Sequence, residues 1–96
     1  MTEFSLRIID VISQIEVGKV MSYKEVALLA GNGNGARQVA RILHTCSKKH
    51  NLPWWRVVNS NYQVSIKDPY GFEEQVMLLR SEGLEVLETG KILLKD

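Results

Sequence analysis

The sequence predicts a mostly α-helical domain with small β elements, close to a winged helix-turn-helix. Its 96 residues suffice for one modest core, so we expect a single domain over residues 1–96. Apolar residues recur at helical spacing through the first half of the chain. Short apolar runs that flank a glycine near the end of the chain indicate a small hairpin.

The first two predicted helices have clear boundary signals. Glu3–Glu16 has an amphipathic pattern and should end near Gly18. Ser22–Ala30 begins with Ser22 followed three residues later by Glu25, which is a capping-box pattern. Gly31 then suits the left-handed conformation that commonly follows a helix.

A third helix should follow the turn formed by residues 32–35, whose asparagines and glycines tolerate positive φ. We expect this helix to begin at Ala36, with Asn34 as its N-cap. Its apolar face is predicted to contain Ala36, Val39, Ala40, Leu43 and Cys46. Two helices joined by a tight turn with glycine are typical of a helix-turn-helix, and also of many all-α cores.

The second half of the chain has a different character. Residues 48–52 should be a polar loop, and residues 53–58 either extended chain or a short helical turn. Alternation of Val64 with Ile66 predicts a short strand, and residues 67–71, which include Pro69, predict a loop. A fourth helix is expected over Phe72–Glu82, and a terminal hairpin from residues 86–87 and 92–94 around Gly90.

Charge is distributed unevenly although the formal net charge is only +1. No acidic residue lies between Glu25 and Asp68, and all 11 acidic residues lie at or beyond these two positions. The stretch between them contains Arg37, Arg41, Lys48, Lys49, Arg56 and Lys67, interleaved with His44, His50, Trp54, Trp55 and Tyr62. Basic residues among aromatics match the footprint of a nucleic-acid-binding surface. The alternative is a solvated positive face without a partner.

The residues offer no recognisable catalytic apparatus. Cys46 is the single cysteine, which excludes an internal disulfide and a multi-cysteine zinc site. His44 lies two positions before Cys46, and side chains at that helical spacing do not face each other. The histidines lack an adjacent carboxylate, and no glycine-rich phosphate loop follows a strand. We therefore predict no catalytic residues, no cofactor and no metal.

Two sequence features bear on cellular location, the length of the apolar runs and the character of the first residues. No apolar run approaches the roughly 20 residues that span a bilayer. The opening residues 1–4 lack the basic and apolar regions of a secretory signal. We therefore expect a cytoplasmic protein with no membrane partner.

Two adjacent tryptophans, Trp54 and Trp55, precede Arg56. Adjacent side chains cannot both lie on the same side of an extended chain. One indole can therefore fill the core while the other lines a surface or pocket, where it would stack on a planar ring.

Four segments, in order, resemble the DNA-binding domain of the O6-alkylguanine-DNA alkyltransferases. Residues 15–27 (IEVGKVMSYKEVA) resemble the family's I-P-x-G-K-V-x-T-Y-G-E-V-A, and residues 35–40 (GARQVA) its recognition-helix segment A-A-R-A-V-G. Residues 53–58 (PWWRVV) align with the active-site P-C-H-R-V-V, and residues 78–83 (LLRSEG) with L-L-x-x-E-G. The resemblance covers residues 11–84.

This sequence departs from the family pattern at the two residues that carry out alkyl transfer. The family's acceptor cysteine falls on Trp54 and its activating histidine on Trp55. An indole cannot replace the thiolate nucleophile. The pattern therefore resembles the alkyltransferase-like proteins. That resemblance implies a non-enzymatic, monomeric protein that binds O6-alkylguanine in double-stranded DNA without repairing it and flags the lesion for nucleotide excision repair proteins.

The resemblance also implies two groups of site residues. The DNA-binding group comprises Tyr23, Ala36, Arg37, Gln38, Ala40 and Arg41. The lesion pocket comprises Tyr23, Trp54, Trp55, Arg56 and Lys67. Arg37 would enter the base stack, Tyr23 would press on the target phosphate, and small residues of the third helix would permit close approach to the minor groove. Arg56 is expected to bond nearby carbonyl groups.

A sequence-specific helix-turn-helix regulator is the alternative function. It would bind palindromic sites as a dimer, whereas a lesion sensor would bind any sequence that contains the lesion.

Overall fold

A computed structural model describes residues 1–94 of the chain. The helices are α1 (Glu3–Ser13), α2 (Tyr23–Leu29), α3 (Ala36–His50) and α4 (Pro69–Ser81). The strands are β1 (Met21–Ser22), β2 (Val57–Val58), β3 (Glu85–Val86) and β4 (Ile92–Leu93), and a 3₁₀ turn spans Trp54–Arg56. The predicted class, mostly helical with small β elements in a winged-helix-like arrangement, is confirmed.

Helix α1 begins where predicted and ends earlier. The side chain of Thr2 accepts a hydrogen bond from the Ser5 backbone N–H and caps its first turn. The helix ends at Ser13 instead of Glu16. Ile15 leaves the helical path and is buried in the core, because the chain turns back toward β1 at this point.

Helix α2 has both predicted boundary signals. The Ser22 hydroxyl accepts from the Glu25 N–H at 3.1 Å, and the Glu25 carboxylate accepts from the Ser22 N–H at 2.9 Å. The capping box is therefore confirmed. Gly31 has a φ of +110° after the last turn, in the region that favours glycine.

Helix α3 begins at Ala36 as predicted, but its N-cap is Gly35 and not Asn34. The Asn34 N–H donates to the Asn32 side chain in the preceding turn, so Asn34 lies outside the helix. The predicted apolar face is also partly wrong. Ile42 is buried in place of Ala40, which is exposed.

The 53–58 segment forms the helical turn that was one of its two predicted conformations, followed by β2. β2 pairs in parallel with β1, with Met21 opposite Val57 and Ser22 opposite Val58. The strand predicted at Val64 and Ile66 is wrong. Val64 is buried and its N–H donates to the Gly90 carbonyl, but residues 64–66 form no strand.

Helix α4 begins at Pro69, three residues before the predicted start, so the loop predicted over residues 67–71 is largely wrong. The Asp68 side chain caps the helix, and proline is tolerated in a first turn because its missing N–H would be unpaired there. The helix ends at Ser81, with Glu82 as its cap. The terminal hairpin is confirmed, with its first strand one residue earlier than predicted.

The buried side chains form two clusters that meet beside the 3₁₀ turn. The first joins α1, α2 and α3, and includes Ile8, Ile12, Val26 and Val39. The second lies under α4 and the hairpin, and includes Val58, Leu79 and Ile92. Among the helices of residues 1–94, none is long and apolar enough to cross a membrane.

Candidate nucleic-acid interface

A cavity of about 390 Å³ opens between α3, the 3₁₀ turn and α4. Its walls are predominantly apolar, with polar groups from α3 and α4. The lining residues are Tyr23, Ala40, Leu43, His44, Ser47, Trp54, Val57, Ile66 and Gln75. Mostly apolar walls with a few polar groups are typical of sites that bind small molecules.

The parallel pairing of β1 with β2 brings two aromatic residues to this cavity. Tyr23 directly follows β1 and is the first residue of α2, while Trp54 opens the turn that leads into β2. Burial raises the pKa of the Tyr23 hydroxyl above its ordinary value. The phenol therefore remains neutral at physiological pH and can donate a hydrogen bond.

Trp54 and Trp55 have different surroundings. Their rings are almost perpendicular, with an interplanar angle of 89° and centroids 6.0 Å apart. Trp54 lines the cavity, whereas Trp55 packs against the second cluster. One indole thus lines the cavity, and its half-buried neighbour packs against the core, which agrees with the sequence prediction for adjacent tryptophans.

Behind the cavity, Trp55, Arg56 and Glu82 form a hydrogen-bonded network. Arg56 Nη2 lies 2.6 Å from Glu82 Oε2, and Arg56 Nε donates to the same carboxylate. The Trp55 indole N–H donates to Glu82 Oε2 at 2.8 Å, and the Arg56 guanidinium lies 5.2 Å from the Trp55 ring centroid. Arg56 Nη1 also donates to the Ile15 carbonyl at 2.7 Å, a carbonyl contact of the kind that the sequence predicted.

The network fixes the charge of Glu82. Hydrogen bonds from Arg56, and to a lesser degree from Trp55 and the Gly18 N–H, lower the pKa of this carboxyl against the opposing effect of burial. The carboxylate is therefore ionised at neutral pH and forms an ion pair with the Arg56 guanidinium.

A second carboxylate holds the start of α2, next to Tyr23. Burial raises the pKa of Glu25, but hydrogen bonds from Tyr62 and Ser22 outweigh it and the net shift is downward. The Tyr62 hydroxyl donates to Glu25 Oε1 at 2.6 Å. The same bond raises the pKa of Tyr62.

The structure brings some of the predicted lesion-pocket residues together and separates others. Tyr23 and Trp54 line the cavity. Trp55 and Arg56 lie behind it, in the network with Glu82. Lys67 lines a neighbouring depression, which shares Ile66 with the cavity.

The predicted DNA-binding residues lie along α3 and at the cavity mouth. Arg37, Gln38 and Arg41 are exposed on α3, and Ala40 is exposed where it lines the cavity. Ala36 is half-buried in the first turn. Arg37, Gln38 and Arg41 thus make the exposed surface of α3 polar and basic, and Ala40 on the same helix lines the cavity.

Sequence reasoning missed several lining residues. Leu43, His44 and Ser47 follow Ala40 at the spacing of one helix face, which is a signal that the sequence contained. Gln75 had no comparable signal. It is buried, and its side-chain N–H groups donate to the Trp55 carbonyl at 3.0 Å and the Val57 carbonyl at 3.1 Å.

The family model described as "6-O-methylguanine DNA methyltransferase, DNA binding domain" matches residues 3–84. The chain therefore belongs to this family, and within it to the alkyltransferase-like proteins. The resemblance found in the sequence motifs is confirmed.

Individual relatives cover nearly the whole chain. A DNA base-flipping protein of Vibrio parahaemolyticus is 41% identical over 99% of this chain and 94% of its own length. Alkyltransferase-like protein 1 of Schizosaccharomyces pombe is 34% identical over 93% of this chain and 83% of its own. The crystal structure of S. pombe Atl1 in complex with damaged DNA containing O6-carboxymethylguanine superposes with a TM-score of 0.84, at 34% identity, and the match covers 99% of this chain and 91% of that one.

Proposed function

We propose that the protein recognises O6-alkylguanine in double-stranded DNA, flips the damaged base into the cavity and leaves the alkyl group in place. It acts as a monomer in the cytoplasm, with residues 1–96 as one domain, and flags the lesion for nucleotide excision repair proteins. The observation that carries the proposal is the Trp54 indole in the cavity wall, at the position where the family resemblance puts the acceptor cysteine.

The cavity chemistry suits an extruded base. Flipped bases are held by stacking on aromatic and apolar side chains. Trp54, Tyr23 and Leu43 supply such surfaces. An O6-alkylguanine pairs poorly, so extruding it costs less than extruding guanine, and this difference contributes to selectivity.

The exposed surface of α3 suits the groove beside the lesion. Arg37 lies near the start of α3 and is free to enter the gap that the flipped base leaves. Gln38 and Arg41 can reach the backbone and the groove edges, while Ala36 and Ala40 leave space for close approach. The neutral Tyr23 hydroxyl can donate to the phosphate without electrostatic repulsion.

The surrounding chemistry argues against alkyl transfer. Trp54 has no thiolate to attack the alkyl carbon, and the thiol of Cys46 is buried in the first cluster, outside the cavity lining. Trp55 occupies the position that aligns with the activating histidine. An indole N–H only donates hydrogen bonds, and this one already donates to Glu82, so it cannot accept a proton from a nucleophile.

Two measurements test the proposal. In a titration of matched duplexes with and without one O6-methylguanine, the protein should bind the damaged duplex more tightly. Intact mass spectrometry after incubation should show an unchanged protein mass. Equal affinity for the two duplexes, or an added methyl group on any residue, would contradict it. Trp54→Cys should restore little transfer because Trp55 cannot serve as a base.

The regulator alternative predicts different behaviour. It requires a dimer and a preferred palindromic sequence. Sedimentation with and without DNA should instead show one protein molecule per lesion, and binding should be insensitive to the flanking sequence. The base-flipping relatives favour lesion recognition over regulation.

A further experiment tests the proposed signalling role. Purified excision repair proteins should incise the damaged duplex faster when this protein is present. An unchanged rate of incision would contradict the signalling role.

A further inference from the structure

Helix α4 has two faces with opposite surroundings. Its inner face packs on the second cluster through Val76 and Leu79, and Gln75 reaches the cavity lining. Its outer face contains a groove of about 430 Å³. The groove is lined by Tyr70, Glu73, Glu74, Met77, Leu78 and Ser81.

The centre of this outer face is apolar, although it faces solvent. Tyr70 is 82% exposed and Met77 is 65% exposed, one above the other at a seven-residue spacing. A helix face that meets only water is typically polar. Exposed apolar groups with a polar rim mark interaction sites, and Tyr and Met are enriched in interfaces.

The charged side chains around the groove are acidic, which favours a basic partner. Its charged lining residues are Glu73 and Glu74, both exposed. Residues 69–94 contain four exposed glutamates against Arg80 and Lys91, since the fifth, Glu82, is paired with Arg56 in the interior. Such a surface repels DNA phosphates and attracts cations, in contrast to the basic surface of α3.

We infer that the outer face of α4 docks a basic amphipathic segment of a partner protein, whose apolar side chains contact Tyr70 and Met77 and whose cations contact Glu73 and Glu74. The groove and the cavity lie on opposite faces of the same helix, since Gln75 lines the cavity from the inner face. Partner and DNA can therefore be bound together. The inference goes beyond the proposed function, and lesion affinity is measured separately so that either can fail alone.

The first experiment uses synthetic peptides in the absence of DNA. One helical peptide combines a leucine face with lysines, and its control keeps the leucine face but replaces each lysine by glutamate. In an NMR titration of the isotope-labelled protein, the lysine peptide should shift resonances of Tyr70, Met77 and their neighbours, and the glutamate peptide should not. Equal shifts with both peptides, or shifts confined to other surfaces, would overturn the charge argument.

Matched variants locate the contact. Met77→Lys removes the apolar centre and adds a repelling charge, while Leu29→Lys makes the same change at a residue of α2 that is 68% exposed. Met77→Lys should weaken peptide binding about fivefold or more, and Leu29→Lys should not. Both variants should keep the lesion affinity of the parent protein. Equal weakening by the two variants would place the contact elsewhere.

The second experiment identifies the natural occupant. A photo-crosslinking amino acid replaces Tyr70 in one sample and Leu29 in the other, in the cells from which the protein comes. Mass spectrometry of the crosslinked peptide from the Tyr70 position should show a segment of another protein that is rich in lysine or arginine and interleaved with apolar residues. An acidic segment, a segment of this same chain, or no product above the Leu29 sample would overturn the inference.

Discussion

The cavity and the network behind it are built from neighbouring residues, yet these residues make different contacts. Trp54 lines an open cavity whose walls are mostly apolar. Trp55 and Arg56, the next two residues, are bonded to Glu82, and the side chains of the ion pair are only 12% and 11% exposed. Adjacent residues thus have different surroundings, one at the cavity and the next two in the network. Substitutions in the network should change folding, and substitutions in the cavity should change binding.

The largest expected effect is on the network. Glu82→Ala leaves the Arg56 guanidinium buried without its partner, so the free energy of unfolding should fall by about 3 to 5 kcal/mol. Urea denaturation measures this loss. Glu3→Ala breaks the exposed pair with Arg7 and serves as the control, which should cost well under about 1 kcal/mol. Similar losses in the two variants would mean that the network is not a stabilising element.

The two adjacent tryptophans should respond differently to truncation. Trp55→Ala should destabilise the protein by about 2 to 4 kcal/mol, because it removes packing on the second cluster and the bond to Glu82. Trp54→Ala should melt near the parent protein but lose its preference for damaged DNA. Thermal melting and duplex titration of both variants separate these outcomes. A Trp54→Ala protein that unfolds would assign Trp54 to the core.

On the DNA side, Arg37 and Lys48 should behave differently. Arg37→Ala should weaken binding of the damaged duplex by about 1 to 3 kcal/mol, because this side chain is proposed to fill the base stack. Lys48→Ala should weaken damaged and undamaged duplexes equally, as expected for loss of phosphate attraction. Anisotropy titrations at fixed salt compare them. An unchanged ratio between the duplexes in Arg37→Ala would contradict the role of Arg37.

The smallest effect is the dependence of stability on pH. The pKa of Glu82 is lower in the folded protein, so the unfolded chain binds the proton more readily. The stabilisation is complete above the ordinary glutamate pKa of about 4.5 and is lost as the pH falls through the lowered folded pKa. Glu82→Gln should therefore lose less stability than the parent protein over this acidic range. Denaturation curves between neutral and acidic pH test it, and an identical acid dependence in both proteins would refute it.

Local signals explain which parts of the fold could be predicted. The capping box of Ser22 with Glu25 is a sequence pattern, and it set the start of α2 correctly. The start of α4 was missed because Pro69 suggests a loop until Asp68 is seen as the cap before it. The β1–β2 pair was also missed, since two strands of two residues leave no alternation to detect.

Local sequence motifs also explain which site residues could be predicted. Tyr23 and Trp54 could be predicted because they lie in recognisable motifs, and both line the cavity. Gln75 could not, because its role depends on carbonyl groups that the fold brings to it from another segment. Glu82, the partner of the Trp55 indole, lies in the family motif of residues 78–83, but its hydrogen bond to Trp55 is seen only in the structure.

The β1–β2 pair also has a consequence for biosynthesis. It joins segments far apart in the chain, so the loop between them must be synthesised before the pair can close. A nascent chain that ends after α3 already contains Arg37 and Arg41 but lacks Trp54, Val57 and the later cavity wall. Such a chain has the basic side chains of α3 but only part of the cavity lining. The proposed DNA surface of α3 is thus synthesised first, and the cavity is completed only when the second half of the chain has emerged from the ribosome.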